Sequence, residues 1–223
     1  DLHSFPARRS SDLSFAIIAT LVKLTIADGN YRIVSALEWT NTEHIDTGEY
    51  DENDQPIYEE IVTNPTKAMY ATLPAAGETN GKAMWANIDS TDCRYLWKMT
   101  TNPETGLVQM MNIATDGILA TCGQSAQATL TTDSETEMLF EFIQRTEDGK
   151  VVVVMKPSTG GDYAYLHCNE HGGGTGKASN IVGWTASAGA SQWVLEPVTD
   201  EEVQTQAKIG RVGQQECRDR SRM

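Results

Sequence analysis

Apolar positions in this chain recur in short runs of period 2, and the same order of runs comes three times. Each copy opens on a turn and a strand: Asp28-Gly29-Asn30-Tyr31-Arg32-Ile33, Thr105-Gly106-Leu107-Val108-Gln109-Met110, and Asp148-Gly149-Lys150-Val151-Val152-Val153. Each closes on an aromatic set among alternating apolar residues, at Trp97, Phe140 and Trp193. Between these ends lie a second run (Met69 to Leu73, Ile118 to Cys122, Ala164 to Cys168) and a third (Ala83 to Trp85, Ala128 to Leu130, Ile181 to Trp184). Alternation bounded by Gly, Asn and Asp predicts about four short strands per unit. One such unit cannot bury its apolar face alone, so three are expected to share a core around a pseudo-threefold axis, with Tyr31, Val108 and Val151 as counterparts. Trp97, Phe140 and Trp193 are assigned to that core.

The chain ends read differently. Residues 1–13 resemble the in-frame translation of a sequencing adaptor, and Lys208-Ile209-Gly210-Arg211 resembles the start of its reverse strand, so both are expected to be non-native; a native basic arm is the alternative for the head. Residues 14–27 follow, with an apolar run, Ser14 to Val22, too short to span a bilayer, and small residues before Ala27. This reads as the remnant of a secretory signal, with a buried first strand as the alternative. The domain proper is expected over 28–198, in units of about 28–104, 105–147 and 148–198. A helix start, linker and non-native tail follow over 199–223.

Charge narrows the partners. The chain carries a net charge of −14, and the tail beyond Gln206 is net positive, so the body is more acidic still. Such a surface repels phosphate backbones, which argues against nucleic acid. Cys93, Cys122 and Cys168 read as small buried residues, with a bridge from Cys93 as the alternative. Acidic residues crowd between Glu43 and Glu60 and are expected to form a solvated loop pinned to the barrel by Tyr50 and Tyr58. Thr199-Asp200-Glu201-Glu202 is a capping-box signature for a short polar helix with little to pack against.

No motif for catalysis emerges. His171 to Ala178 lacks the first Gly and the final Ser or Thr of a phosphate loop. His167-Cys168-Asn169-Glu170-His171 gathers metal-capable groups, but on a strand His167 and Cys168 face opposite ways, so no metal site and no cofactor is expected. The chain has no Gly-x-Ser-x-Gly elbow, and the reading is that it is not an enzyme.

With its three units of four strands and their closing aromatics, the chain resembles the ricin-type β-trefoil lectins across about 28–198. That resemblance implies an all-β β-trefoil. The family closes each unit on Gln-x-Trp, whereas Tyr95, Met138 and Ser191 stand where the Gln would be. Carried over, the family's carboxylate position falls on Thr72, Thr121 and His167, and its stacking aromatic on Trp85, Leu130 and Trp184. Its amide position falls on Arg94 and Tyr95 in the first unit and on Ala190 and Ser191 in the third.

The resemblance implies a glycan or polysaccharide as partner. The expected ligand-binding residues are Trp184 as platform, His167, Asn169 and Asp162 as hydrogen-bonding partners, Tyr163 at the rim, and Trp85 in the first unit. The overall expectation is a secreted or cell-surface, non-catalytic carbohydrate-binding accessory module of a larger extracellular protein, monomeric and not inserted in a membrane. The alternatives are a protein-binding module such as a protease inhibitor, and a structural spacer beside a hydrolase or peptidase domain.

Overall fold

The computed structural model describes residues 22–133, 138–147, 149–169 and 178–207. Strands follow the alternation: β1 (Val22–Lys23), β2 (Gly29–Ser35), β3 (Asn41–Tyr50), β4 (Pro56–Thr63), β5 (Lys67–Ala71), β6 (Gly81–Asn87), β7 (Leu96–Thr101) and β8 (Val108–Asn112). Then come β9 (Ile118–Thr121), β10 (Thr129–Thr131), β11 (Leu139–Glu147), β12 (Lys150–Pro157), β13 (Tyr165–Cys168), β14 (Ala178–Trp184) and β15 (Trp193–Val198). Among the described residues one α-helix, α1, covers 200–207.

The architecture is all-β, but it is a closed nine-strand antiparallel barrel and not the expected β-trefoil. Pairing runs β2–β5–β6–β10–β9–β8–β11–β12–β15 and returns to β2, while β7 also joins β2 directly to β8. The three sequence units are not equivalent in this circuit. The first hairpin enters it through Val34 opposite Ala68 and the second through Met111 opposite Ile118, whereas the third, β13–β14, pairs through β14 with β6 and bridges from Gly183 to Gln124 and from Val182 to Gln127. Closure leaves no free edge around the circuit, the usual physical reason for a sheet to curl on itself.

The core lies inside this ring. Trp97, Phe140 and Trp193 are fully buried, opposite Tyr31, Val108 and Val153 respectively. Val153, not Val151, is therefore the third counterpart: Val151 is 60% exposed and lies opposite Thr146, one residue pair from the end of the β11–β12 ladder. Both indoles find acceptors in the strand beneath, Trp97 Nε1 donating to Met69 O at 3.1 Å and Trp193 Nε1 to Leu166 O at 2.9 Å. Satisfying these donors lets the Trp97 and Trp193 rings be buried without an unpaired polar atom, whereas the buried Trp85 Nε1 has no hydrogen-bond partner. Beside them Trp39 stacks on Trp85 with centroids 4.5 Å apart, under the Lys67 ammonium at 4.3 and 4.8 Å.

At the periphery the acidic insertion and α1 depart from expectation. Val22 and Lys23 pair with β11 and are both exposed, Leu24 N donates to Phe142 O and Ile26 is buried. The acidic insertion is a two-stranded ribbon, β3 with β4, and its Tyr50 and Tyr58 are 64% and 55% exposed instead of pinned. The capping box forms, Glu202 N donating to Thr199 Oγ1 at 3.2 Å and Thr199 N to Glu202 Oε2 at 2.9 Å, yet α1 does pack: Gln206 is buried and Asn30 Nδ2 reaches Asp200 Oδ1 at 2.9 Å. Cys93, Cys122 and Cys168 form no disulfide, and the last two are buried. Among the described residues no helix is long and apolar enough to cross a membrane.

Candidate functional site

The third hairpin carries the exposed chemistry, and its register explains how. Tyr165 lies opposite Trp184, Leu166 opposite Gly183, His167 opposite Val182 and Cys168 opposite Ile181. Paired residues share a face and neighbours alternate, so Leu166, Cys168 and Ile181 point into the core while Tyr165, His167 and Trp184 point out. Trp184 is 37% exposed. The Tyr163 ring meets it edge-on at 6.2 Å, and the His167 ring, its diagonal neighbour, lies tilted at 6.2 Å. The result is a shallow aromatic patch with one indole face partly open.

His167 is the polar group locked into this patch. Its Nδ1 shares a 2.9 Å hydrogen bond with Ser191 Oγ, itself buried and set in place by a 3-10 turn at Gly189–Ser191. Burial pushes the imidazole pKa down to about 4, so the ring is neutral through the physiological range. Tyr163 is exposed, and Asp162 is almost fully solvated, with Lys156 Nζ at 3.9 Å. The same ammonium lies 5.6 Å from the Tyr165 ring centre, so the lower border of the patch is cationic against an acidic molecule.

Two expected residues do not join this patch. Asn169 continues the ladder past β13, its N–H donating to Asn180 O at 2.9 Å. Four residues from Tyr165 along an extended strand is about 13 Å, which places Asn169 at the far end from the Trp184 pair. Trp85 is 1% exposed and cannot stack on a ligand at the surface. Register supplies the reason. The residue opposite Met69, whose carbonyl takes the Trp97 proton, is Trp85; the residue opposite Leu166, whose carbonyl takes the Trp193 proton, is Gly183. Trp85 therefore corresponds to Gly183 and faces inward, while Trp184 corresponds to Ala86 and faces outward. One residue of offset puts an indole on the opposite side of a sheet.

Among the described residues, the remaining positions carried over from the family are apolar, buried or engaged within the fold. Leu130 is core, Tyr95 is buried with its hydroxyl on Asn87 O at 2.8 Å, and Arg94 is engaged by Asp92 at 2.6 Å. Ala190 is buried; Thr72 Oγ1 accepts from Lys82 N at 3.1 Å; the side chain of Thr121 lies outside the described residues, as do Glu170 and His171. By the carbonyls that receive the two indole protons, His167 matches Tyr70, not Thr72.

Tyr165 is not among the expected site members, and Ser191 enters the expectation only as the place of the family's amide, not as the partner of His167. Alternation through Tyr165-Leu166-His167-Cys168 could have found Tyr165; nothing local in the sequence announces that Ser191 reaches back 24 residues to His167. Two surface clefts also lie elsewhere, of about 550 and 350 Å³, side by side along Ala36, Leu37 and Glu38. They converge no catalytic set of side chains, and among the described residues no group of three His, Cys, Asp or Glu could hold a metal ion. No protein-family model matches the chain and no curated protein sequence matches it, so the reading of the site rests on its geometry.

Proposed function

We propose that the chain is a non-catalytic carbohydrate-binding module whose contact point is the Trp184 patch. The observation that carries this is selective exposure: of the five tryptophans, Trp39, Trp85, Trp97 and Trp193 are buried and only Trp184 opens to solvent. An exposed indole on a rigid hairpin, bordered by an edge-on phenol, offers a flat apolar face to the C–H face of a pyranose ring. The Tyr163 hydroxyl, the Asp162 carboxylate and the neutral His167 ring supply polar partners at the rim. The patch is shallow, which suits an internal stretch of a polymer more than a sugar buried in a pocket.

One stacked ring with an open rim recovers little beyond the cost of ordering the ligand, so single-site affinity is expected on the order of millimolar, with tighter retention on a polymer that offers many sites. Affinity electrophoresis through gels containing soluble glucans, mannans or galactans tests this. The wild-type chain is expected to be retarded by at least one of them, and Trp184→Ala to migrate freely while circular dichroism shows that the barrel remains, because the ring lies on the outer face of its hairpin and not in the core. Equal retardation of that variant, or none of the wild type on any polymer, contradicts the reading.

A further inference from the structure

The β3–β4 ribbon stands apart from the barrel sheet as a separate two-stranded sheet, so the outer edges of both strands are unpaired. From Thr42 to Tyr50 and from Ile57 to Thr63 every residue is exposed, so neither face is covered. A lone hairpin of this kind is marginal in water, yet this one is locally specified. At its tip Asp51 Oδ1 accepts the N–H groups of Asn53 and Gln55, each at 2.8 Å, and Thr47 Oγ1 donates to Ile57 O at 2.8 Å. Gly48 takes a positive φ of 74° with its N–H on Asp46 Oδ1, forming the irregularity that bends β3.

Its side chains are as distinctive as its edges. Ile45, Ile57 and Ile61 are all exposed; Ile45 lies opposite Glu59, and Ile61 opposite Glu43, so the three alternate with carboxylates on one face. Residues 41–63 hold eight Asp and Glu and no Lys or Arg. Proteins commonly guard an exposed edge with lysine or a mid-strand proline; β4 has neither, its one proline standing at the first residue. We infer that the ribbon is a docking arm for a Lys/Arg-rich extended segment of another protein, which adds along the free edge of β4 as a third strand.

Charge selects that occupant. A second copy of this acidic chain, or a nucleic acid, would bring negative charge against eight carboxylates, whereas a strand with apolar and basic side chains alternating along each face would meet Ile57, Glu59 and Ile61 in turn. Main-chain hydrogen bonds along β4 would supply attachment, and the isoleucines would be removed from water.

Fluorescence anisotropy of a labelled peptide of repeating Val-Val-Lys-Lys, which alternates Val and Lys on each face of a strand, with a Val-Val-Glu-Glu peptide of equal length as control, measures this at about 0.15 M salt, where distant charges are screened. The full chain is expected to bind the basic peptide and not the acidic one. Ile45→Thr, Ile57→Thr and Ile61→Thr combined keep charge and strand propensity, and should weaken binding by about tenfold. Replacing 41–63 with a short Gly-Ser turn should abolish it, with circular dichroism verifying that the barrel remains; Trp184→Ala should bind like wild type, which separates this arm from the carbohydrate reading. Undiminished binding by the threonine or ribbonless variant overturns the inference, as does absence of binding by wild type. So does wild-type self-association that the threonine variant loses, which would make a second copy the occupant.

Discussion

At His167 the neutral imidazole is held between the Trp184 ring and the Ser191 hydroxyl, and burial depresses its pKa from the usual 6.5 to about 4. The unfolded chain therefore binds the proton more readily than the folded one. Stability contributed by this site is fully present above about pH 6.5 and is lost as pH falls toward 4. For a half-buried ring, after allowing for solvent screening, this amounts to about 1–2 kcal/mol. Urea denaturation between pH 4 and 7 should show that loss in the wild type, and a shallower one in His167→Gln. Parallel curves would mean that His167 is already free to protonate in the fold. Gly183 is a second residue on which the patch depends: a Cβ there would stand 2.2 Å from Gly123 O, while its own N–H donates to that same oxygen at 2.9 Å. Gly183→Ala must push two backbones apart, and should cost about 2 kcal/mol or more and shift the Trp184 indole environment. A Tm unchanged from wild type would show that the contact yields freely.

At the scale of elements, hairpins were legible where alternation was clean and misplaced where it was not. Strands around Trp97, Phe140 and Trp193 follow the period-2 signal into a common core, and the Thr199–Glu202 capping box starts a helix as its chemistry requires. The ribbon was hidden because its carboxylates mask a β-branched pattern: Thr42, Ile45, Thr47, Ile57, Ile61 and Val62 are strand formers, but like charges read first as solvated loop. Trp85 and Trp184 looked equivalent because both end a third run. Only the pairing register, which depends on loop lengths and the length of each hairpin, shows that they sit one residue out of phase. A slip of two residues, which keeps the face but changes the partner, separates the expected Val151 from Val153. Alternation tells which residues share a face, but not which partner each one meets.

For the whole molecule, closure of the nine-strand circuit and acidity oppose one another. Ring closure buries a continuous core, while a net charge of −14 makes the compact state repel itself. The ion pairs that offset this, such as Lys82 with Glu78 at 2.8 Å and Lys150 with Glu38 at 2.5 Å, are solvent-exposed and contribute little. Added salt should therefore raise Tm over the range in which the Debye length falls from about 30 to about 10 Å. A falling Tm would mean that the local pairs outweigh the global repulsion.

Carbohydrate recognition is tested most directly on the indole protons themselves. With the chain labelled with nitrogen-15, five Trp Nε1–H resonances are expected, and substitution of Trp184 by Phe identifies the one at the surface. Titration with soluble hexose oligosaccharides should move that resonance in a saturable way and leave those of Trp39, Trp85, Trp97 and Trp193 in place. Five stationary indole signals at saturating sugar, or movement confined to the four buried rings, would contradict the account.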